Sequence, residues 1–402
     1  MSVFSELSSA PKDPILGMTE LFNADTAADK VNLGVGVYLD VTGKVPSLQC
    51  VRQVESQLAA TVRPRGYLPM DGMPGFNTVV RDLVFGADSP AVQAGRVVSV
   101  QALGGTGALR LGAGMLTLAS PDAPVLLSDP SWENHALLFT RAGFSLGQYR
   151  YYDPVGRCVD VEGMVEDLAA AQPGSIVVLH ACCHNPTGYD LTPAEWDRVV
   201  DVLVARGLVP FVDLAYQGFS VGVEEDRYVV SRLAETGIPF LVANSFSKTF
   251  ALYGERVGAI HLGCTDAAEA ARVLSQVKLV VRAIYSNPPT HGAAIVSTVL
   301  ADAELRAGWE QEVAVMRDRI IETRLAFRAG LEAAGVTDDL SHVTTQTGLF
   351  SYSGLSVAQM ERLRNEFHVY GLDSGRLCIA AINPTNIDRV IAAVADVIKS
   401  EA

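Results

Sequence analysis

From residue 97 onward, short apolar runs alternate with longer stretches whose apolar positions recur every three or four residues. That pattern predicts strands separated by helices. Residues 97–100 read as a strand, and the glycine-led GGTGALRLGAGMLTLA after them as a helix. Residues 124–127 form a second strand, closing on Ser128-Asp129-Pro130, and residues 176–179 a third, closing on His180. Thr192 is placed to cap the next helix, Pro193 suits its first position, and Glu195 completes a capping box. Gly207 is a fitting stop, residues 208–212 are the fourth strand, and Phe240 begins a fifth. Such alternation predicts an α/β fold, a mostly parallel sheet wrapped by helices.

Beyond Asp302 the pattern changes. Residues 304–334 make a long helical stretch with charged residues between apolar ones, which Gly335 can end. GLFSYSG reads as a short strand, Ser356 with Gln359 offers a second capping box before ERLRNEFHV, and residues 387–399 form a last helix. The expected organisation is a large α/β domain over residues 46–315 and a smaller α+β domain over 316–402. Residues 1–45 supply an N-terminal arm and a further segment of the smaller domain. No repeat or low-complexity tract intervenes, so the parts should pack closely.

Composition narrows the possibilities. The 402 residues are 49% hydrophobic, which excludes a disordered chain, and the net charge of −14 argues against a broad nucleic-acid surface. No run of about 18 uncharged apolar residues offers a membrane span. The first residues, MSVFSELSSAPKDPILGM, place no basic region before an apolar core, so no secretory signal is expected. Six scattered cysteines (Cys50, Cys158, Cys182, Cys183, Cys264 and Cys378) suit free thiols and a cytoplasmic setting. His180-Ala181-Cys182-Cys183-His184 has the composition of a metal site. Adjacent cysteines on a strand face opposite ways, however, and no second ligand pair stands at zinc-like spacing, so no metal is expected.

Chemistry gathers at the strand ends, where open α/β sheets bind ligands. One strand leads into Gly104-Gly105-Thr106-Gly107, another into His184-Asn185-Pro186-Thr187-Gly188, a third into Asp213-Leu214-Ala215-Tyr216 and a fourth into Ser245 and Lys248. Each has a plain structural explanation in turns or capping; their coincidence at one edge does not. A lysine at the end of a buried strand loses hydration, which lowers its pKa and makes it a candidate imine-forming amine. Arg256, eight residues on, is a fixed charge suited to a phosphate.

Lysine, serine and arginine at this spacing resemble the pyridoxal-phosphate segment of fold-type I aminotransferases. That cofactor asks for what these strand ends offer. Its phosphate takes helix-start N–H groups at Gly105 and Thr106, a hydroxyl at Ser245 and the Arg256 cation. Its ring nitrogen needs a carboxylate such as Asp213 to stay protonated, its phenolic oxygen needs donors such as Asn185 and Tyr216, and its aldehyde needs Lys248. Across residues 13–386, SDPSWENH, HACCHNPTG, VDLAYQGF, NSFSKTFALYGERVG, YSNPP and Ser374-Gly375-Arg376 are similar, in order, to the class I aspartate and aromatic-amino-acid aminotransferases.

The resemblance implies a seven-stranded large domain with a smaller α+β domain, and a homodimer with active sites at the subunit interface. It implies that Trp132 stacks on the cofactor ring, with His135 supporting Asp213 and His180 nearby. Arg376 matches the arginine for the substrate α-carboxylate, and Gly36 the loop that closes over substrate. Tyr67 and Arg282 match residues that reach the partner subunit's site, Tyr67 at the phosphate and Arg282 at a second substrate carboxylate. Asp373 departs from the family's usual small apolar residue; it either pairs with Arg376 or points away. The expected reaction moves the amino group of an aromatic amino acid and/or aspartate to 2-oxoglutarate by a ping-pong mechanism. An aspartate enzyme with little aromatic activity is the alternative. A more distant one, an NAD-dependent dehydrogenase, lacks its third glycine, since Arg110 stands there. A serine acyl-transfer enzyme using Ser245 and Lys248 lacks its supporting motifs.

Overall fold

Seven strands, nearly all apolar where they cross the interior, build the central sheet: β1 (Val97–Leu103), β2 (Val125–Asp129), β3 (Leu146–Arg150), β4 (Ile176–His180), β5 (Val209–Leu214), β6 (Phe240–Ser245) and β7 (Val257–Gly263). Every residue of β4, β6 and β7 is buried, as expected of strands covered on both faces. The computed structural model describes residues 2–10, 13–62 and 64–400. Spatial order is β1-β7-β6-β5-β4-β2-β3, and β7 alone runs antiparallel to its neighbours. The mostly parallel sheet expected from the sequence is therefore present, with β3 and β7 as strands not assigned from it.

Local chemistry sets the helices that matter for the site. α1 (Gly104–Ala119) follows β1 with no intervening loop, and α2 (Glu133–Arg141) starts after Trp132. α3 (Pro193–Arg206) carries the expected Thr192–Glu195 capping box and stops at left-handed Gly207. α4 (Ala267–Ile284) precedes YSNPP. α5 (Ala303–Ala333) is capped by Asp302, which accepts from the N–H groups of Glu304 and Leu305. α6 (Val357–Phe367) has the Ser356–Gln359 box, and α7 (Ile387–Lys399) is the last helix.

Outside the sheet, Val31–Asn32 pairs in parallel with Val369–Tyr370, and Phe350–Tyr352 pairs with Arg376–Cys378. The first of these short ladders joins the first part of the chain to the last, and the second ties two segments of the last part together. α5 runs unbroken through residue 315, so the expected division at 315/316 falls within one helix. All six cysteines are free thiols, and no described helix is long and apolar enough to cross a membrane.

Candidate active site

A cavity of about 450 Å³ opens at the edge where β4, β5 and β6 end and α1 begins. Gly105 and Thr106 line it at the start of α1, where no side chain caps the helix. Gly104 makes the turn with φ 67°, and a Cβ there would lie 2.6 Å from Nη2 of Arg256, so only glycine lets the guanidinium lie against the helix start. Arg256 donates through Nη1 to the Ser247 hydroxyl at 3.3 Å and the Tyr253 carbonyl at 3.0 Å. Ser245 Oγ accepts from the Ser247 N–H at 3.3 Å. Open helix N–H groups, two hydroxyls and a cation make a cradle for a phosphate.

His180 and Asp213 end up side by side because they are register partners of β4 and β5. Asp213 Oδ2 lies 3.0 Å from Nε2 of fully buried His135, whose Nδ1 is 3.1 Å from Ser131 Oγ. Burial works to raise the Asp213 carboxyl, yet the His135 hydrogen bond and the fields of His135, His180 and Lys248 hold it below the usual carboxylate range. Its second oxygen, Oδ1, is buried with no partner among the described residues. Burial, aided by His135, pushes His180 down to about 3, so its ring is neutral at ordinary pH. His135, His180 and Asp213 bring donor atoms within 4.8 Å of one another, but His135 and Asp213 engage each other.

Lys248 reaches the same cavity from just beyond β6, its Nζ 4.6 Å from the centre of the Tyr216 ring. Burial lowers its ammonium from 10.5 to about 8; Asp213 opposes the fall, and Arg256 and Arg376 add to it. Arg376 is 1% exposed. It donates through Nη1 to Asn185 Oδ1 and through Nη2 to the Gly34 carbonyl, both at 2.8 Å, and lies 4.2 Å over the Phe350 ring. Its Nε has no partner among the described residues. Gly36 and Trp132 complete the walls, Trp132 meeting His135 edge-on at 5.2 Å.

Thirteen positions expected from the sequence thus meet here or directly behind: Gly36, Gly105, Thr106, Trp132, His135, His180, Asn185, Asp213, Tyr216, Ser245, Lys248, Arg256 and Arg376. Tyr67 and Arg282 do not line this cavity. Tyr67 is 96% exposed, and Arg282, in the last turn of α4, hydrogen-bonds Ser286. Asp373 pairs with Arg364 at 2.9 Å. Ser247 and Tyr253 also line the cavity, and Phe350 lies beneath Arg376, though none is among the positions expected from the sequence. Ser247 stood inside the quoted NSFSK motif and was within reach. Tyr253, whose oxygen accepts the Tyr38 N–H at 2.9 Å, stands inside NSFSKTFALYGERVG as well, whereas Phe350 carries no local signal.

The unpartnered Asp213 oxygen faces the need of a protonated ring nitrogen, the helix start that of a phosphate, and Lys248 that of an aldehyde. These residues fit pyridoxal phosphate. The family described as aminotransferase class I and II matches residues 28–394. An aspartate aminotransferase of Pseudomonas aeruginosa is 53% identical, over 99% of this chain and 100% of its own. An aromatic-amino-acid aminotransferase of Escherichia coli K12 is 45% identical, over 98% and 100%. The crystal structure of an aromatic-amino-acid aminotransferase from Burkholderia pseudomallei, covalently bound to pyridoxal phosphate, superposes with a TM-score of 0.96 at 53% identity, covering 99% of this chain and 100% of that one. With the cofactor's needs met by this cavity and the match running nearly end to end, the chain belongs to the class I and II aminotransferases.

Proposed function

We propose that this pyridoxal-phosphate-dependent aminotransferase moves the amino group of an aromatic amino acid and/or aspartate to 2-oxoglutarate in two alternating half-reactions. The observation that carries the reading is the pairing, in one cavity, of Lys248 with a buried Asp213 whose Oδ1 has no partner among the described residues. When bound, pyridoxal phosphate supplies an electron sink that lets a bond at the substrate α-carbon break. Gly105, Thr106, Ser245 and Arg256 hold the phosphate. Asp213, steadied by His135 with His180 alongside, keeps a positive charge at the ring nitrogen. Asn185 and Tyr216 donate to the phenolic oxygen, and Trp132 covers the ring.

Lys248 is the amine that takes the proton from the substrate α-carbon and returns it. With a pKa of about 8, roughly one lysine in ten is neutral at pH 7 in the cofactor-free chain. Arg376 orients the substrate by its α-carboxylate, with Nε, unpartnered among the described residues, available as a donor, and Gly36 belongs to the loop that closes over substrate.

Tyr67 and Arg282 act in the site of a second copy. The outward position of Tyr67 and the distance of both from their own cavity support a homodimer with shared sites. The large domain is read as residues 46–315, the smaller as 316–402 with part of 1–45, and the setting as the cytoplasm. The visible absorption of the purified protein, followed by borohydride reduction and peptide mass spectrometry, tests the assignment. A cofactor fixed to the peptide bearing Lys248 is expected; a label on any other lysine overturns it.

A further inference from the structure

Residues 346–349 belong to no helix or strand, yet they lead into Phe350, whose ring underlies Arg376. Two side chains outside the cavity hold this stretch. Arg324, on α5 and 2% exposed, donates to the carbonyls of Val343 at 3.0 Å, Thr347 at 3.2 Å, Gly348 at 2.9 Å and Phe350. Burial pushes its guanidinium down to about 10, which leaves it charged at neutral pH. From the other side comes Asp190. Its Oδ1 accepts from the His184 N–H at 3.0 Å, and its Oδ2 from the Cys183 N–H at 2.9 Å and the Ser220 and Thr347 hydroxyls at 2.8 Å.

Those donors come from three separate segments, two leading to residues that line the cavity and the third to the ring beneath Arg376. Cys183 and His184 immediately precede Asn185, Ser220 follows Tyr216, and Thr347 precedes Phe350. Asn185 and Phe350 are in turn the side chains against which Arg376 rests. Four donors converging on two oxygens call for a carboxylate, because an amide offers one acceptor oxygen and turns a donor toward the rest.

We propose that Asp190 is a positioning residue for the substrate carboxylate: it locks the Asn185 loop to the segment leading into Phe350, so that both supports of Arg376 keep one geometry. Arg324 fastens the same segment from the far side. The inference rests on the reading of Arg376 as the α-carboxylate site.

Holoenzymes of the wild type, Asp190→Asn, Thr347→Val and Arg376→Leu are titrated calorimetrically with 3-phenylpropionate, which is phenylalanine without its amine. The same proteins are assayed for kcat and KM with phenylalanine. Asp190→Asn is expected to raise both Kd and KM about tenfold, with kcat within about twofold. Thr347→Val, which deletes one bridging hydroxyl, should move both constants the same way by less. Neither change should alter the visible absorption of the bound cofactor, since Lys248 and Asp213 are untouched. A Kd equal to wild type in Asp190→Asn, or a fall in kcat at constant KM, overturns the proposal. Should Asp190→Asn fail to fold, an unchanged Kd in Thr347→Val overturns it instead. Weak binding by Arg376→Leu beside tight binding by Asp190→Asn removes this inference alone. Wild-type binding by Arg376→Leu removes the reading of Arg376 as well.

Discussion

Gly36 and Phe350 lie so close that a Cβ added at Gly36 would stand 2.5 Å from Cζ of the Phe350 ring. No real side-chain carbon tolerates that approach, so alanine at 36 must displace the ring or the loop. The ring is also the surface over which Arg376 lies. Gly36→Ala should therefore raise KM for every amino-acid substrate, about tenfold in kcat/KM, through the floor of the carboxylate site. Combining it with Phe350→Leu should recover part of the loss in steady-state assays. Loss confined to one class of substrate would contradict this route.

Lys248 gives a pH dependence with a definite sign. Its folded pKa of about 8 lies below its ordinary 10.5, so between those values the unfolded chain binds more protons and stability rises with pH. The penalty for holding the ammonium is full below about pH 8 and is relieved as pH approaches 10.5. Cofactor-free Lys248→Met should melt above the cofactor-free wild type at pH 7 and lack turnover. The gap in Tm should close as pH is raised from 8 to 10.5. A gap that is constant with pH would mean that Lys248 titrates near its ordinary value.

Arg282 separates acidic from aromatic substrates. A side-chain carboxylate needs a cation, and such a charge-assisted pair contributes about 1.5–3 kcal/mol, whereas an aromatic side chain gains about 25 cal/mol per Å² buried. Arg282→Leu should lower kcat/KM for aspartate about tenfold or more and leave phenylalanine nearly unchanged. Single-turnover conversion of bound cofactor by each amino acid alone is the measurement. Equal losses would make Arg282 structural.

Shared sites predict complementation. In a hybrid of Lys248→Ala with Arg282→Leu, one of the two sites combines an intact Lys248 with an intact Arg282 from the other chain. Refolding an equal mixture should restore aspartate activity to about a quarter of wild type, since about half of the dimers are hybrids with one good site each. Activity no greater than the sum of the two parents would show that both residues serve one chain.

Much of this was legible in the sequence for a physical reason. Asp213, Asn185 and Lys248 each sit in a short motif at the end of an apolar strand, and a parallel sheet brings such ends to one edge. β3 was not legible, because Tyr149 is its one buried residue and no apolar run marks it. β7 reads as apolar, yet nothing local says that it runs against its neighbours. The contacts that support Arg376 are more distant still. Its bond to Asn185 spans 191 residues, and that of Thr347 to Asp190 spans 157. Asp373 shows the same limit: the sequence leaves open whether it pairs with Arg376 or points away, and its partner, Arg364, comes from α6.

The reversed direction of β7 has a practical outcome for anyone editing this chain. Val257 faces Leu103, and Gly258 faces Ser245, so the connection from β6 to β7 leaves and returns at the same edge, carrying Lys248 and Arg256 between two fixed points. One residue added there shifts a working group. At the opposite edge, Gly207 between α3 and β5 is exposed, adopts φ 62°, and has no atom within 4 Å of where a Cβ would be. A change beside Gly207 falls at the strand-start edge, away from Lys248 and Arg256, and should leave their positions unaltered, although Leu208, which follows, is buried and its N–H closes the helix on the Leu203 carbonyl at 3.0 Å.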